Sequence, residues 1–234
     1  IAFIEASKTL PPSSTLDVFI ICAPEDFEFV RTLNETLQIQ NKTTWFDETV
    51  QSASIQDMAN IEQNELNEGI EQCENIVFVV SPSAIKDPRC IRELNYAHEQ
   101  NKRIVPILYR EILSVYNHPV LDQISWIDFQ PGGDFSAQFG TLFRQLESDP
   151  AHIRPHTRLL VRSREWYEAD RDKSYLLRGK ELQASLDWLI QADGKTPAPT
   201  TIQREFIAES QALPFRKLRR RSIVLTSVLS AGLV

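Results

Sequence analysis

The chain of 234 residues holds only seven glycines, and none of them builds G-x-G-x-x-G, G-x-x-x-x-G-K-S/T or G-x-S-x-G. Those spacings let a backbone wrap a dinucleotide pyrophosphate, cradle nucleotide phosphates or expose a nucleophilic serine. Their absence excludes a Rossmann cofactor site, a P-loop and an α/β-hydrolase elbow. Cysteine is scarce too. Cys22, Cys73 and Cys90 are an odd number without C-x-x-C spacing, which favours reduced thiols in a cytosol-facing domain and no structural zinc. The histidines His98, His118, His152 and His156 are not clustered with them at ligand spacing. Pro155, between His152 and His156, is expected to keep that pair off one helical face, so no metal site is expected. A net charge of −7 lacks the basic surface that nucleic acid requires, and no nucleic-acid partner is expected.

What is present is an ordinary globular composition, 42% apolar and 24% charged. From Leu16 to Ser148, short apolar runs alternate with longer helical ones. "LDVFIICA", "TTWFDE", "NIVFVVSP", "RIVPILY" and "ISWIDF" read as five strands. Between them, "EDFEFVRTLNETLQI" carries Phe27, Val30, Leu33 and Leu37 at helical spacing, and "IQDMANIEQNELNEGIEQCE" offers Met58, Ile61, Leu66 and Ile70. "CIRELNYAHEQNK" follows strand three, and "FSAQFGTLFRQLES" closes the unit. Strands alternating with helices imply βαβ crossovers, hence an α/β fold with a parallel, flavodoxin-like five-stranded sheet. Ligands of such sheets collect at the carboxyl ends of the strands. Asp17 stands at the start of strand one, and Glu25 and Asp26 come late, which argues against a phosphoacceptor receiver.

After Pro150 the rhythm is helical only. "HTRLLVRSREWYEADR" and "YLLRGKELQASLDWLIQAD" read as amphipathic helices, and "GKTPAPT" is a break. "TTIQREFIAES" then opens a third helix, with Thr200 and Gln203 spaced as a capping box. The expected organisation is an N-terminal extension over 1–14, an α/β domain over 15–150, an all-helical extension over 151–213 and a basic segment with an apolar run over 214–234. In that last part Arg216, Lys217, Arg219, Arg220 and Arg221 precede thirteen uncharged residues, Ser222 to Val234. Thirteen residues make about 20 Å of helix, whereas a bilayer core needs about twenty residues. The run reads as the start of a membrane helix cut short, with a buried or amphipathic terminal helix as the alternative. The first residue is Ile1, so the true start is expected to lie upstream.

One residue stands out. In "DPRCIRELNYAHEQ", Cys90, Leu94 and Ala97 recur as the core face of a helix. At about 100° per residue, Glu93 falls at the margin of that stripe, and it is expected there half-open, beside the end of the sheet. "LDVFII", "FVRTL", "WFDE", "GIEQCENIVFVVSPSAI" and the C-x-x-E-L-x-x-A helix together resemble a bacterial TIR (Toll/interleukin-1 receptor homology) domain over about Leu16 to Ser148.

The resemblance implies NAD⁺ as substrate rather than cofactor, with Glu93 as the catalytic carboxylate of nicotinamide–ribose cleavage. It implies that Ala23 and Pro24 after strand one, Trp45, Phe46 and Asp47 at the end of strand two, and Arg89 and Cys90 before Glu93 line the substrate site. It also implies self-association through TIR domains, in defence or cell-death signalling. Three features depart from the family pattern: Arg89 where tryptophan is common, Ile21, Cys22 and Ala23 where Ser-Tyr-Ser is common, and the loop "TVQSASIQDMAN" without glycine or aromatic. A non-catalytic TIR interaction module therefore stays open. The helical tail resembles, more weakly, segments that follow TIR domains in cyanobacterial multidomain proteins. Basic residues ahead of an apolar run predict a TIR domain on the cytoplasmic face of a membrane.

Overall fold

A computed structural model of the chain describes residues 16–46, 63–112 and 118–213. The chain forms two compact units, Ile1–Arg158 and Leu159–Val234. Asp47, Met58, Ile61, the loop "TVQSASIQDMAN" and the segment 214–234 lie outside the described residues.

The first unit is built on strands β1 (Leu16–Ile21), β2 (Thr44–Trp45), β3 (Cys73–Val80), β4 (Arg103–Leu108) and β5 (Ile127–Asp128). They form one sheet in the order β2-β1-β3-β4-β5, and every pairing is parallel. Helices α1 (Phe27–Ile39), α2 (Gln63–Gln72), α3 (Pro88–Glu99) and α4 (Phe135–Leu146) accompany them. Each face of the sheet carries its own core. Phe19 and Ile21 of β1, with Ile76, Phe78 and Val80 of β3, pack with Leu66 and Ile70 of α2 and with Cys90, Leu94 and Ala97 of α3. The alternate residues Val18, Ile20, Val77 and Val79 pack instead with Phe27, Val30, Leu33 and Leu37 of α1 and with Phe139, Leu142 and Leu146 of α4. Two covered faces are why the central strands read as unbroken apolar runs.

The edge strands are shorter than their apolar runs suggest. "TTWFDE" and "ISWIDF" each contribute only two strand residues. An edge strand has a single neighbour, and pairing ends where that register ends, at Val18–Phe19 for β2 and Ile107–Leu108 for β5.

Helix α5 (Pro150–Glu168) corrects the expectation about His152 and His156. It runs through Pro155 without a break, and it brings the two rings to 6.5 Å between centroids. Pro155 lies early in the helix, where its missing N–H forfeits one bond to the carbonyl of Ala151. Ala151 is exposed, so water can satisfy that carbonyl.

The second unit encloses Leu159, Trp166, Leu176, Leu177, Trp188, Phe206 and Ile207, from α5, α6 (Gly179–Gln191) and the helix over 201–213 (α7). The capping box at the start of α7 is formed: Gln203 N–H donates to Thr200 Oγ1 at 3.3 Å, and Thr200 N–H donates to Gln203 Oε1 at 2.7 Å. Among the described residues, no helix is long and apolar enough to cross a membrane.

Candidate active site

The order β2-β1-β3 makes the chain leave β1 toward one edge of the sheet and β3 toward the other. A crevice opens outside the carboxyl ends of strands at such a switch point. A groove of about 440 Å³ lies here, lined by Pro24 and Glu25 after β1 and by Pro82, Ser83, Lys86 and Asp87 after β3.

Helix α3 begins at the same place. Asp87 is its N-cap, accepting from the backbone N–H of Arg89 at 2.8 Å, and Pro88 occupies its first position. This start fixes where the next turns point. Cys90, Glu93, Leu94 and Ala97 form one buried stripe.

Glu93 is thus not at a half-open margin, as its angular position suggests. It is 1% exposed. Arg89, one turn earlier, packs against it and donates from Nη1 to Glu93 Oε1 at 3.3 Å. Arg89 Nη2 donates to the carbonyl of Cys22 at 2.8 Å, so the guanidinium bridges α3 and the end of β1. Burial disfavours charge on this guanidinium, but the Glu93 carboxylate, with Cys90, Asp87 and Cys22, holds its pKa above the ordinary arginine value. The same burial pushes the Cys90 thiol up. A buried thiol of that kind is not a nucleophile.

The other expected site residues divide. Cys22 and Ala23 are buried at the strand end, and Pro24 lines the groove. Trp45 stacks on Phe19, with ring centroids 4.3 Å apart, on the sheet face that carries α3. Phe46 packs on the opposite face, edge-on to Phe27 at 6.2 Å. That division follows from the alternation of side chains along a strand.

Two residues that the sequence reading did not select also stand at this end of the sheet. Asp26, in the 3₁₀ turn Pro24–Asp26, is buried, and Ser81 Oγ donates to its Oδ2 at 2.5 Å. Ser81 Oγ also accepts from the N–H of Ala84 at 3.1 Å, and Arg110 Nη1 faces Asp26 Oδ1 at 3.6 Å. Burial raises the Asp26 pKa, against the lowering effects of Ser81 and Arg110. The available signal was positional. Ser81 is the first polar residue after "IVFVV", where a strand must end, and Asp26 stands just past the "IICA" that ends strand one.

The described geometry is that of a parallel sheet with an aspartate-capped helix start at its switch point. A family model for the TIR domain matches residues 18–143. The chain belongs to the TIR domain family. No curated protein matches it. Among solved structures, the TIR domain of a Toll-related receptor from Hydra magnipapillata is 26% identical, with a TM-score of 0.46. That match covers 57% of this chain and 100% of the Hydra domain. A metazoan TIR-STING receptor from C. gigas, in complex with 2',3'-cGAMP, is 17% identical with a TM-score of 0.46, and the match covers 60% of this chain and 42% of the receptor. A second structure of a TIR-STING receptor from C. gigas is 14% identical with a TM-score of 0.44, covering 79% of this chain and 52% of that one. This TIR chain thus spans less than two thirds of either C. gigas receptor chain.

Proposed function

We propose that this TIR domain is an NAD⁺ glycohydrolase in which Glu93 is the catalytic carboxylate and self-association switches on the reaction. The observation that carries the reading is the position of Glu93 on α3, joined through Arg89 to the carbonyl that ends β1, at the switch point of the sheet. Membership of the TIR family over residues 18–143 supports it, since the resemblance implies NAD⁺ cleavage by the glutamate at this position.

The chemistry needs little from the protein. Nicotinamide is attached as a pyridinium and leaves as a neutral molecule, so no general acid is required. The pair of carboxylates usual in glycoside hydrolysis then reduces to one. That one must stabilise positive charge as the ribose becomes an oxocarbenium ion. Ala23, Pro24, Trp45, Asp47 and Cys90 would shape the pocket around it, with Phe46 supporting β2 from the opposite face.

A second reading, a TIR module that assembles with other TIR domains without catalysis, is favoured by one observation: Arg89 covers Glu93. Nicotinamide release from NAD⁺, measured on the intact chain, separates the two.

The basic cluster Arg216 to Arg221 and the apolar run after it support a further part of the proposal, that the domain acts at the cytoplasmic face of a membrane. Each basic residue near anionic lipid contributes ~1 kcal/mol. Fractionation of cells expressing the chain tests this. Recovery in the membrane fraction is expected, and complete recovery in the soluble fraction without detergent would exclude it.

A further inference from the structure

We infer that Arg89 is a lock on Glu93, and that the site opens when the guanidinium passes from Glu93 to Asp87. The inference deepens the glycohydrolase reading and takes its consequence for NAD⁺ from it, while the lock itself stands on geometry alone.

Three observations carry it. The first is cover. Glu93 is 1% exposed, and the Arg89 side chain, at 13%, lies over it with Nη1 on the carboxylate and Nη2 on the Cys22 carbonyl. A ligand that pairs with Glu93 Oε1 must therefore displace that guanidinium first. The second is incomplete satisfaction. A guanidinium has five N–H donors, and in the closed position Arg89 Nε is buried without an acceptor. One donor of the closed guanidinium is thus left unused.

The third is a second partner already in place. Asp87 Oδ2 forms an ion pair with Arg89 Nη2 at 3.7 Å beside the Glu93 contact, and Asp87 lines the groove, so the guanidinium can let go of Glu93 and still keep a carboxylate partner. The two oxygens of Asp87 have separate duties: Oδ1 caps α3 through the N–H of Arg89, and Oδ2 faces the guanidinium. Rotation about the side-chain bonds of Arg89 hands the charge from a buried carboxylate to one at the groove, with the helix start left in place. The vacated position beside Glu93 suits a flat cation, which is the form of the nicotinamide ring in NAD⁺. Arg89 occupies, in the closed state, the place of the substrate's own positive charge.

The test uses the intact chain and two variants, Arg89→Ala and Asp87→Asn. Asparagine caps a helix as well as aspartate does, so Asp87→Asn removes the alternative charge while sparing α3. Glu93 is labelled with a water-soluble carbodiimide and an amine, with the exposed Glu68 as internal reference, and its peptide is read by mass spectrometry. Glu93 in the parent is expected to label far more slowly than Glu68. In Arg89→Ala it labels about tenfold faster or more, as local opening controls access to a buried group, and in Asp87→Asn no faster than the parent. Parent labelling at the Glu68 rate, or no acceleration in Arg89→Ala, overturns the lock. Acceleration in Asp87→Asn overturns the transfer to Asp87. If Arg89→Ala does not fold, Arg89→Met, which keeps the aliphatic stem, carries the same expectation.

Nicotinamide release from NAD⁺ is measured on the same samples. Faster release in Arg89→Ala, and slower release in Asp87→Asn, is expected. Accelerated labelling without nicotinamide release from any sample keeps the lock and defeats the glycohydrolase reading. Release by the parent without accelerated labelling keeps the glycohydrolase and defeats the lock.

Discussion

Ser81 Oγ donates to Asp26 Oδ2 at 2.5 Å, tying the exit of β3 to the first turn after β1. The bond spans the switch point of the sheet, and both residues are buried. Ser81→Ala leaves a buried carboxylate without its hydroxyl donor, at a cost of about 1–3 kcal/mol. Urea denaturation followed by circular dichroism is expected to show a lowered midpoint with an unchanged slope.

The same carboxylate gives a pH dependence. Burial, the largest effect on Asp26, raises its pKa above the ordinary aspartate value. The folded state therefore holds this proton more tightly than the unfolded state does. The resulting stabilisation is complete below the ordinary aspartate range and is lost as pH rises through the raised pKa. Asp26→Asn removes that dependence, so the ratio of variant to parent stability should rise with pH across this window. Melting temperatures over a pH series check the sign.

Gly69 on α2 is pressed against the sheet. A Cβ there would lie 3.0 Å from Cε2 of Phe19, and Phe19 is held from the side by the stacked Trp45. Alanine in place of glycine ordinarily gains up to about 1 kcal/mol inside a helix. Overpacking against a ring with no room to move costs about 1–3 kcal/mol, and the clash is expected to win. Gly69→Ala should lower stability in a denaturation experiment, whereas the helix propensity alone would raise it.

The capping box of α7 is buried at both ends. Gln203→Ala removes the acceptor for the buried Thr200 N–H and should cost about 1–3 kcal/mol. Hydrogen exchange of the amides over 201–213 is the readout, and faster exchange there is expected.

What the sequence disclosed and what it hid have separable causes. "LDVFII" and "NIVFVV" were legible because strands covered on both faces carry no polar alternation to confuse them. The Thr200 and Gln203 spacing was legible because capping is local. The burial of Glu93 was not, since angular position on a helix says nothing of a neighbour that folds back over it, and Arg89 does. Asp26 and Ser81 meet across 55 residues; their positions after two strands mark each one, but nothing local announces the pairing. Pro155 misled for a different reason: an interior proline forfeits one bond, here to an exposed carbonyl, and a helix of 19 residues absorbs that loss.

Self-association has a kinetic signature. If assembly completes or opens the site, specific activity should rise with protein concentration over an about hundredfold series, as it does when an intermolecular contact is limiting. Activity proportional to concentration throughout would show that one chain suffices.

The most direct measurement is nicotinamide release from NAD⁺ by the concentrated intact chain, beside Glu93→Gln of matched circular dichroism. Glutamine keeps the volume and can still accept a bond from Arg89, but it cannot carry the negative charge that an oxocarbenium ion needs. Release by the parent and none above background by Glu93→Gln is the predicted result. Release at the parent's rate from folded Glu93→Gln, or none from the parent at any concentration, would contradict the assignment of Glu93 as the catalytic carboxylate.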